Sequence, residues 1–292
     1  MRGGRWLAMA ACVFLAGCNP TDQGQVVDPG TNVVAKATNR VALCIGINNY
    51  PNPENRLAGC INDCNDWVAE LRNKWGFAKI SVLQDSQATV ANVTAALHKL
   101  IAEAVPGDVI VVTYSGHGTY IQDKNGDEPD SRDEALYLYD GLFVDDVIRE
   151  ILAGLKQGVS LTVISDSCFS GTVTRMPEPG SEAAAAKPRV VFPEGATFDT
   201  YVPVKGRAFI SEESMNEVLL SGASDKEYSY DAKINGRPNG ALTYYALYSL
   251  HKLGGRPTYA QWHAEIRKHL PGAYPQTPQL EGRAENKAKP VF

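Results

Sequence analysis

Residues 108–118, DVIVVTYSGHG, decide the fold. Asp108 to Tyr114 is an apolar run of strand length, as apolar as a strand covered on both faces must be. A glycine-broken polar tail, Ser115-Gly116-His117-Gly118, follows at once. A second run of the same build, residues 160–171 (SLTVISDSCFSG), passes from Ser160–Ser165 into Asp166-Ser167-Cys168. Outward from these two, Val41 to Ile47 (VALCIGI) reads as a buried strand ending in the loop Asn48-Asn49-Tyr50-Pro51, and Ile80 to Leu83 as another. Asp63 to Trp75 sets Trp67, Val68, Leu71 and Trp75 at helical spacing and stops at Gly76. Thr89 to Val105 and Val144 to Leu155 read as further helices. Alternating strands and helices imply an α/β fold, a mainly parallel sheet with helices on both faces. Past residue 207, Glu217 to Ser221 reads as a strand, Ala241–Leu253 and Tyr259–Leu270 as helices, and Gln279-Leu280 as a last edge strand.

The 292 residues are 44% apolar and 21% charged, with 28 Lys+Arg against 33 Asp+Glu for a net charge of −5. That apolar fraction is ample for a packed core and excludes a disordered or fibrous chain. An acidic chain without a long Lys/Arg run is a poor nucleic-acid binder, so no nucleic-acid partner is expected. Six cysteines are too few for a disulfide scaffold at this length.

The N-terminus has its own logic. Arg2 and Arg5 make a positive start, and Trp6 to Ala16 is an apolar run too short to span a bilayer. It closes in Leu15-Ala16-Gly17-Cys18, which resembles the lipobox of bacterial lipoproteins. The resemblance implies a signal peptide over 1–17, a lipidated Cys18, and a tether over 18–38. An ordinary secretory signal with an incidental Cys18 is the alternative. Lipidation places the protein in the cell envelope, anchored to a membrane and facing the periplasm or exterior. Asn19 after Cys18, rather than Asp, favours the outer membrane.

The chemistry sits at two strand ends, one carrying His117 and the other Cys168. In a parallel α/β sheet the reactive crevice lies outside the carboxyl ends of the strands. A base and a thiol on one rim suit nucleophilic catalysis: the imidazole takes the thiol proton and the thiolate attacks a carbonyl carbon. The glycines flanking His117 leave room for a substrate backbone and for positive φ. A buried structural Cys168 is the competing reading. So far these residues support a Cys–His hydrolase.

YSGHG and DSCFSG, following VALCIGIN and AGCINDC, resemble the catalytic domain of metacaspases, caspase-like cysteine peptidases. The similarity continues in DEALYLYD (133–140), VDD (144–146), LLSGAS (219–224) and PQTPQL (275–280), so it spans roughly residues 39 to 292. It implies a three-layer caspase-like fold, with a larger half over about 39–175, a linker over about 176–206 and a smaller half over about 207–292. By this resemblance His117 is the general base, Cys168 the nucleophile, and the N–H groups of Gly118 and Cys168 the oxyanion hole. No carboxylate that would orient His117 is evident, so a dyad is expected.

Specificity follows from strand geometry. Residues i and i+2 share a face, so Asp166 sits beside Cys168 and Ser115 beside His117. A carboxylate next to the nucleophile suits a cationic side chain and repels an acidic one. The metacaspase pattern adds Asp63, with Cys60 and Ser115 at the wall, and implies polypeptide substrates with Arg or Lys at P1. Asp63 as a helix N-cap and Asp166 as a loop cap are the plainer readings.

Residues 123–134 (DKNGDEPDSRDE) hold six acids in twelve positions. Calcium-dependent metacaspases use acids that match Asp133, Asp145 and Asp146. Their fourth acid falls where this chain has Arg175, so Ca²⁺ activation and a solvated acidic loop stand level. The dyad itself requires no cofactor. Cys60 and Cys64 lack zinc spacing and could pair as a disulfide. His98, His251, His263 and His269 read as surface residues without partners. The chain is expected to act as a monomer, and a caspase-fold lipoprotein that only binds or scaffolds is the alternative function. An amidase or acyltransferase of Cys–His type ranks third.

Overall fold

The computed structural model describes residues 39–122, 132–168, 182–191, 212–224 and 227–292. The signal segment, Cys18, the tether, most of the acidic loop, Arg175 and the larger part of the linker lie outside them. In chain order the elements are β1 (Arg40–Gly46), α1 (Cys60–Trp75), β2 (Lys79–Gln84), α2 (Val90–Glu103), β3 (Val109–Ser115), β4 (His117–Gln122), β5 (Arg132–Tyr137), β6 (Leu142–Val144), α3 (Asp145–Leu152) and β7 (Ser160–Asp166). They continue with β8 (Lys187–Pro188), β9 (Val218–Ser221), β10 (Tyr230–Ile234), β11 (Arg237–Gly240), α4 (Ala241–Leu253), α5 (Tyr259–Ile266), β12 (Gln279–Glu281) and α6 (Ala284–Lys287).

The main sheet runs in the order β12-β9-β7-β3-β1-β2. Its pairs from β9 to β2 are parallel, and only β12 joins antiparallel. Every residue of β3 is buried, and its side chains alternate between two cores. Val109 and Val111 enter the core with Trp67 and Leu71 of α1, Leu242 and Ala246 of α4, and Trp262 of α5. Ile110, Val112 and Tyr114 enter the core with Val93 and Leu97 of α2 and Ile151 of α3. One strand thus serves two apolar layers, the period-2 consequence of covering a sheet on both faces.

Helix ends follow local chemistry. Thr89 caps α2 by accepting the Asn92 N–H, Thr258 and Gln261 form a capping box on α5, and α1 ends at Gly76 with φ of 72°. The helix expected from Asp63 starts three residues earlier, at Cys60, with Gly59 as its N-cap. Asp63 is therefore no N-cap; it lies inside the first turn, fully buried. The helices expected to reach Leu155 and Leu270 stop at Leu152 and Ile266.

Two small antiparallel sheets, β4-β5-β6 and β11-β10-β8, are additions to the α/β pattern. The β10–β11 hairpin turns on Asn235 (φ 53°) and Gly236 (φ 80°), the dipeptide that suits a two-residue turn. Within the stretch read as linker, residues 182–191 fold into place, with β8 pairing on β10.

Candidate active site

His117 and Cys168 stand two residues beyond β3 and β7, which pair in the register Ser115↔Asp166. Adjacent parallel strands thereby deliver both side chains to one rim of the sheet. The main chain of His117 is clamped by two tyrosines: its N–H donates to Tyr50 Oη at 2.8 Å, and its carbonyl accepts Tyr114 Oη–H at 2.6 Å. Its Nε2 lies 2.8 Å from the Asn55 carbonyl. A carbonyl only accepts, so the proton sits on Nε2 and Nδ1 is the basic face. Nδ1 is buried without a hydrogen-bond partner among the described residues. A backbone carbonyl thus fills the orienting role for which no carboxylate was found.

Cys168 is held by Ser229, whose N–H donates to Sγ at 2.8 Å. Burial pushes the thiol up to about 12, with the Ser229 hydrogen bond pulling the other way. Burial likewise pushes His117 down to about 4, against the hydrogen bond to Asn55. Burial thus favours the neutral form of each group, thiol and imidazole alike.

Gly118 is required by crowding. A Cβ there would lie 1.9 Å from the Cys168 carbonyl oxygen. Neither Gly116 nor Gly118 adopts positive φ, so that expectation is corrected. The bare backbone of Gly118 lets two N–H groups converge: those of Gly118 and Cys168 both donate to the carbonyl oxygen of Arg189, at 3.0 and 3.2 Å.

Arg189 was invisible to the sequence reading. Its N–H donates to the Ser229 carbonyl at 2.9 Å, and Val191 N–H donates to the Gly118 carbonyl at 3.1 Å. Residues 187–191 therefore pass through the site hydrogen-bonded on both sides. The Arg189 side chain is fully buried. Its Nη2 lies 2.7 Å from Asp63 Oδ2 and 2.9 Å from Asp231 Oδ1. Its Nη1 lies 2.7 Å from Ser115 Oγ and 3.2 Å from Asp166 Oδ1. Burial works against this charge, but Asp166, Cys60, Asp63 and Asp231 together hold the guanidinium well above its usual range. Asp63, Asp166, Ser115 and Cys60, expected as one pocket, are thus gathered around a single cation.

Other acceptor sites on these carboxylates are filled by fixed donors. Asp63 Oδ1 accepts Gly240 N–H and Asn239 Nδ2–H, both at 2.9 Å. Asp166 Oδ2 accepts Thr243 N–H and Oγ1–H at 2.8 Å, and its Oδ1 accepts Ser229 Oγ–H at 2.6 Å. Asp231 accepts the N–H groups of Ala58 and Gly59 at 2.7 and 2.9 Å. A Cβ on Gly240 would meet Asp166 Oδ2 at 2.1 Å and Arg189 Nη1 at 2.3 Å, so the cavity floor also needs a glycine. Asp231 was missed because its hairpin was missed, although Asn235-Gly236 advertises that turn.

The acids matched to calcium ligands take another arrangement. Arg149 bridges Asp145 at 2.5 Å and Asp146 at 2.9 Å, while Asp133 is buried on β5. Among the described residues no group of three or more His, Cys, Asp or Glu gathers closely enough to hold a metal. The acidic loop that adjoins them, residues 123–131, lies outside the described residues. Cys60 and Cys64 are free buried thiols, so the disulfide alternative fails. Three of the histidines have partners after all: His251 binds Glu70 at 2.7 Å, His263 the Pro278 carbonyl at 2.9 Å, and His269 stacks on Tyr245.

Residues 40–177 match the family model described as the metacaspase, peptidase C14 domain. The chain is 33% identical over 285 residues to Metacaspase-1 of Saccharomyces cerevisiae, covering 82% of this chain and 66% of the relative, just under two thirds of its length. It is 34% identical over 305 residues to Metacaspase-1A of Aspergillus niger, covering 90% of this chain and 75% of that protein. A crystal structure of a Geobacter sulfurreducens protein superposes with a TM-score of 0.68 at 27% identity, over 86% of this chain and 97% of the other. Caspase-1 of Spodoptera frugiperda superposes with a TM-score of 0.53 at 10% identity, over 85% and 88%, a likeness of fold alone.

Proposed function

The chain belongs to the metacaspase, peptidase C14 family of cysteine-type endopeptidases, and from that premise we propose that it cuts polypeptides after Arg or Lys, its own Arg189–Val190 bond among them. The seat of Arg189 carries the reading. Its guanidinium occupies a buried cavity of three carboxylates, while its carbonyl oxygen accepts two converging N–H groups at 3.0 and 3.2 Å. An Asp side chain in the same cavity would set a fourth anion among the three, at a cost of several kcal/mol.

In the proposed reaction His117 Nδ1 takes the proton from Cys168 Sγ, and the sulfur bonds to the carbonyl carbon of the P1 residue. The carbonyl electrons move onto the oxygen, where Gly118 and Cys168 N–H stabilise them. As the oxyanion collapses, the C–N bond breaks and the imidazolium gives its proton to the departing amine. Water, activated by the same imidazole, then hydrolyses the thioester and restores the thiol. Asn55 fixes the tautomer throughout by accepting Nε2–H. No step is routed through a metal.

The proposal includes the lipid anchor at Cys18 and a location on the envelope surface, on the strength of the Leu15-Ala16-Gly17-Cys18 resemblance. A monomer suffices, since every residue named in the reaction comes from one chain.

The test is incubation of the full-length protein, followed by N-terminal sequencing of any fragments. The wild type is expected to yield a fragment beginning Val190-Val191-Phe192, and Cys168→Ala to remain whole. Trans assays with peptides ending in Arg, Lys or Asp are expected to rank Asp last by at least about 10²-fold. Self-cleavage by Cys168→Ala, or a preference for Asp, overturns the proposal; an intact wild type that also cuts no peptide leaves the binding-module alternative.

A further inference from the structure

We propose that the cavity between the far ends of α1 and α4 binds the phosphate of an anionic phospholipid, and that this contact points the His117–Cys168 rim away from the bilayer. The site stands on its own residues; the orientation rests on the reading of Cys18 as a lipid anchor.

The cavity, of about 560 Å³, lies at the pole opposite the active site. α1 starts beside the Arg189 cavity, with Asp63 in its first turn, and α4 starts there too, with Thr243 N–H on Asp166 at 2.8 Å. Both helices run away from the rim and bring Trp75 and Leu250 to the walls of the far cavity. Arg40 begins β1 and pairs with Val109, the first residue of β3. Ser115, two residues before His117, stands six residues further along that strand, roughly 20 Å away.

Three cations line the cavity: Arg40, Lys74 and Arg256. Among the described residues none is within ion-pair distance of a side-chain carboxylate. Arg256 Nη2 donates to the Phe292 main-chain oxygen at 2.5 Å, and the Arg40 guanidinium lies 5.8 Å from the Phe77 ring centre. Arg40 Nη1 is buried without a hydrogen-bond partner among the described residues. Burial and, after it, the charge of Arg256 hold Arg40 below its usual range. The one carboxylate in the wall, Glu70, is already spent. Its Oε1 accepts Trp75 Nε1–H at 3.0 Å, and its Oε2 pairs with His251 at 2.7 Å. A helix dipole accounts for Lys74 in the last turn of α1, but not for Arg40 on a strand or Arg256 in a loop.

A phosphate supplies what this set lacks. A guanidinium forks onto two phosphate oxygens, and an ammonium adds a point of charge. Gly254 and Gly255 hold φ of 61° and 58°, and a Cβ on either would meet nothing within 4 Å, so the mouth is clear. The apolar edge of the pole selects a lipid over free phosphate. Leu253, 39% exposed, precedes the two glycines. Val105, 43% exposed, donates its N–H to Asp108 Oδ2, and Asp108 Oδ1 accepts the N–H of Asn39, next to Arg40. Apolar side chains beside cations suit the headgroup boundary of a bilayer, and a soluble anion has no use for them. The chain that carries Cys18 also enters the fold at Asn39, on this pole.

The experiment places the full-length lipidated protein in vesicles of phosphatidylcholine, or of an equal mixture with phosphatidylglycerol, each holding a dansyl-headgroup lipid. Trp67, Trp75 and Trp262, the tryptophans left after cleavage before Cys18, are the energy donors. Transfer is expected to be higher in the mixed vesicles. Each cation at an anionic surface is worth about fivefold, so Arg40→Gln/Lys74→Gln/Arg256→Gln should shift docking by about 10²-fold and remove the gain. Lys74→Glu alone, at an exposed position that leaves the packing intact, should remove most of it. Equal transfer in the two vesicles, or a gain that the triple variant keeps, overturns the site. A gain that survives Trp75→Phe overturns the orientation, because another face then meets the bilayer. Inorganic phosphate that raises the melting temperature of the wild type but not of the triple variant, with no lipid dependence, makes the ligand a soluble anion and overturns the lipid. If the wild type does not stay with phosphatidylcholine vesicles, the anchor reading fails, and sedimentation with the mixed vesicles decides the site alone: binding that the triple variant loses supports it, and no binding overturns it.

Discussion

The carbonyl oxygen of Arg189 accepts the backbone N–H of Cys168 at 3.2 Å, which seats a peptide carbonyl of the chain itself on a donor expected for the oxyanion hole. The second donor to that oxygen, Gly118 N–H at 3.0 Å, depends on the absence of a side chain. A Cβ at 118 would lie 1.9 Å from the Cys168 carbonyl oxygen and must push the two strand ends apart.

Gly118→Ala is therefore expected to lose about 10²–10³-fold in kcat, the scale of one lost oxyanion donor. KM should change little, because the P1 cavity is built from other residues. Steady-state kinetics on an Arg-terminated peptide checks this. A variant with wild-type kcat would show that Gly118 does not shape the site.

Asp231 is expected to separate Arg from Lys at P1. The two terminal nitrogens of Arg189 reach two acceptor groups: Asp63 with Asp231, and Ser115 with Asp166. A Lys ammonium is one point and reaches only one group. Truncating a partner of a buried charge pair costs roughly 2–5 kcal/mol, much of it in the stranded charge. Asp231→Asn should then lower kcat/KM for Arg substrates by about 10²-fold and for Lys substrates by clearly less. Asp231 also anchors the chain entering α1 through the N–H groups of Ala58 and Gly59, so melting should be followed alongside. Equal losses for Arg and Lys would reduce Asp231 to an anchor of that segment.

The sheet was legible because its strands obey a period that only a doubly covered sheet needs, as Val109 to Tyr114 show. His117 and Cys168 were legible because each follows such a strand within two residues. Arg189 was not, since its segment has a loop's composition and its placement depends on carboxylates from α1, β7 and β10, distant in sequence. The orienting group of His117 escaped for a different reason. It is the carbonyl of Asn55, and a backbone acceptor leaves no trace in residue identity. Asp231 lay within reach, because Asn235-Gly236 marks the hairpin that carries it.

Cys18→Ser is expected to abolish labelling by a radioactive or clickable fatty acid and to move the protein out of the membrane fraction. Several acyl chains on one residue suffice for stable anchoring, and one serine substitution removes the thiol that accepts them. An unlabelled wild type would make residues 1–17 an ordinary secretory signal.

The folded protein should weaken in acid through His117. Folded, its imidazole is held at about 4, chiefly by burial; in an unfolded chain it returns to about 6.5. Between those values the unfolded chain binds the proton and the folded chain does not, so stability rises with pH across the window. It is fully present above about 6.5 and is lost as pH falls toward 4. The shift corresponds to about 3 kcal/mol at most. Asn55, Lys187, Arg189 and Asp231 also act on this imidazole. The measurement is thermal melting from pH 7.5 to 4.5 in Cys168→Ala, which keeps the chain uncut, against Cys168→Ala/His117→Gln. Carboxylates titrate in both proteins, so their effect cancels in the difference. The single variant should lose stability more steeply on the acid side, by about 2 kcal/mol over the range. Parallel curves would mean that His117 is already solvated in the folded protein.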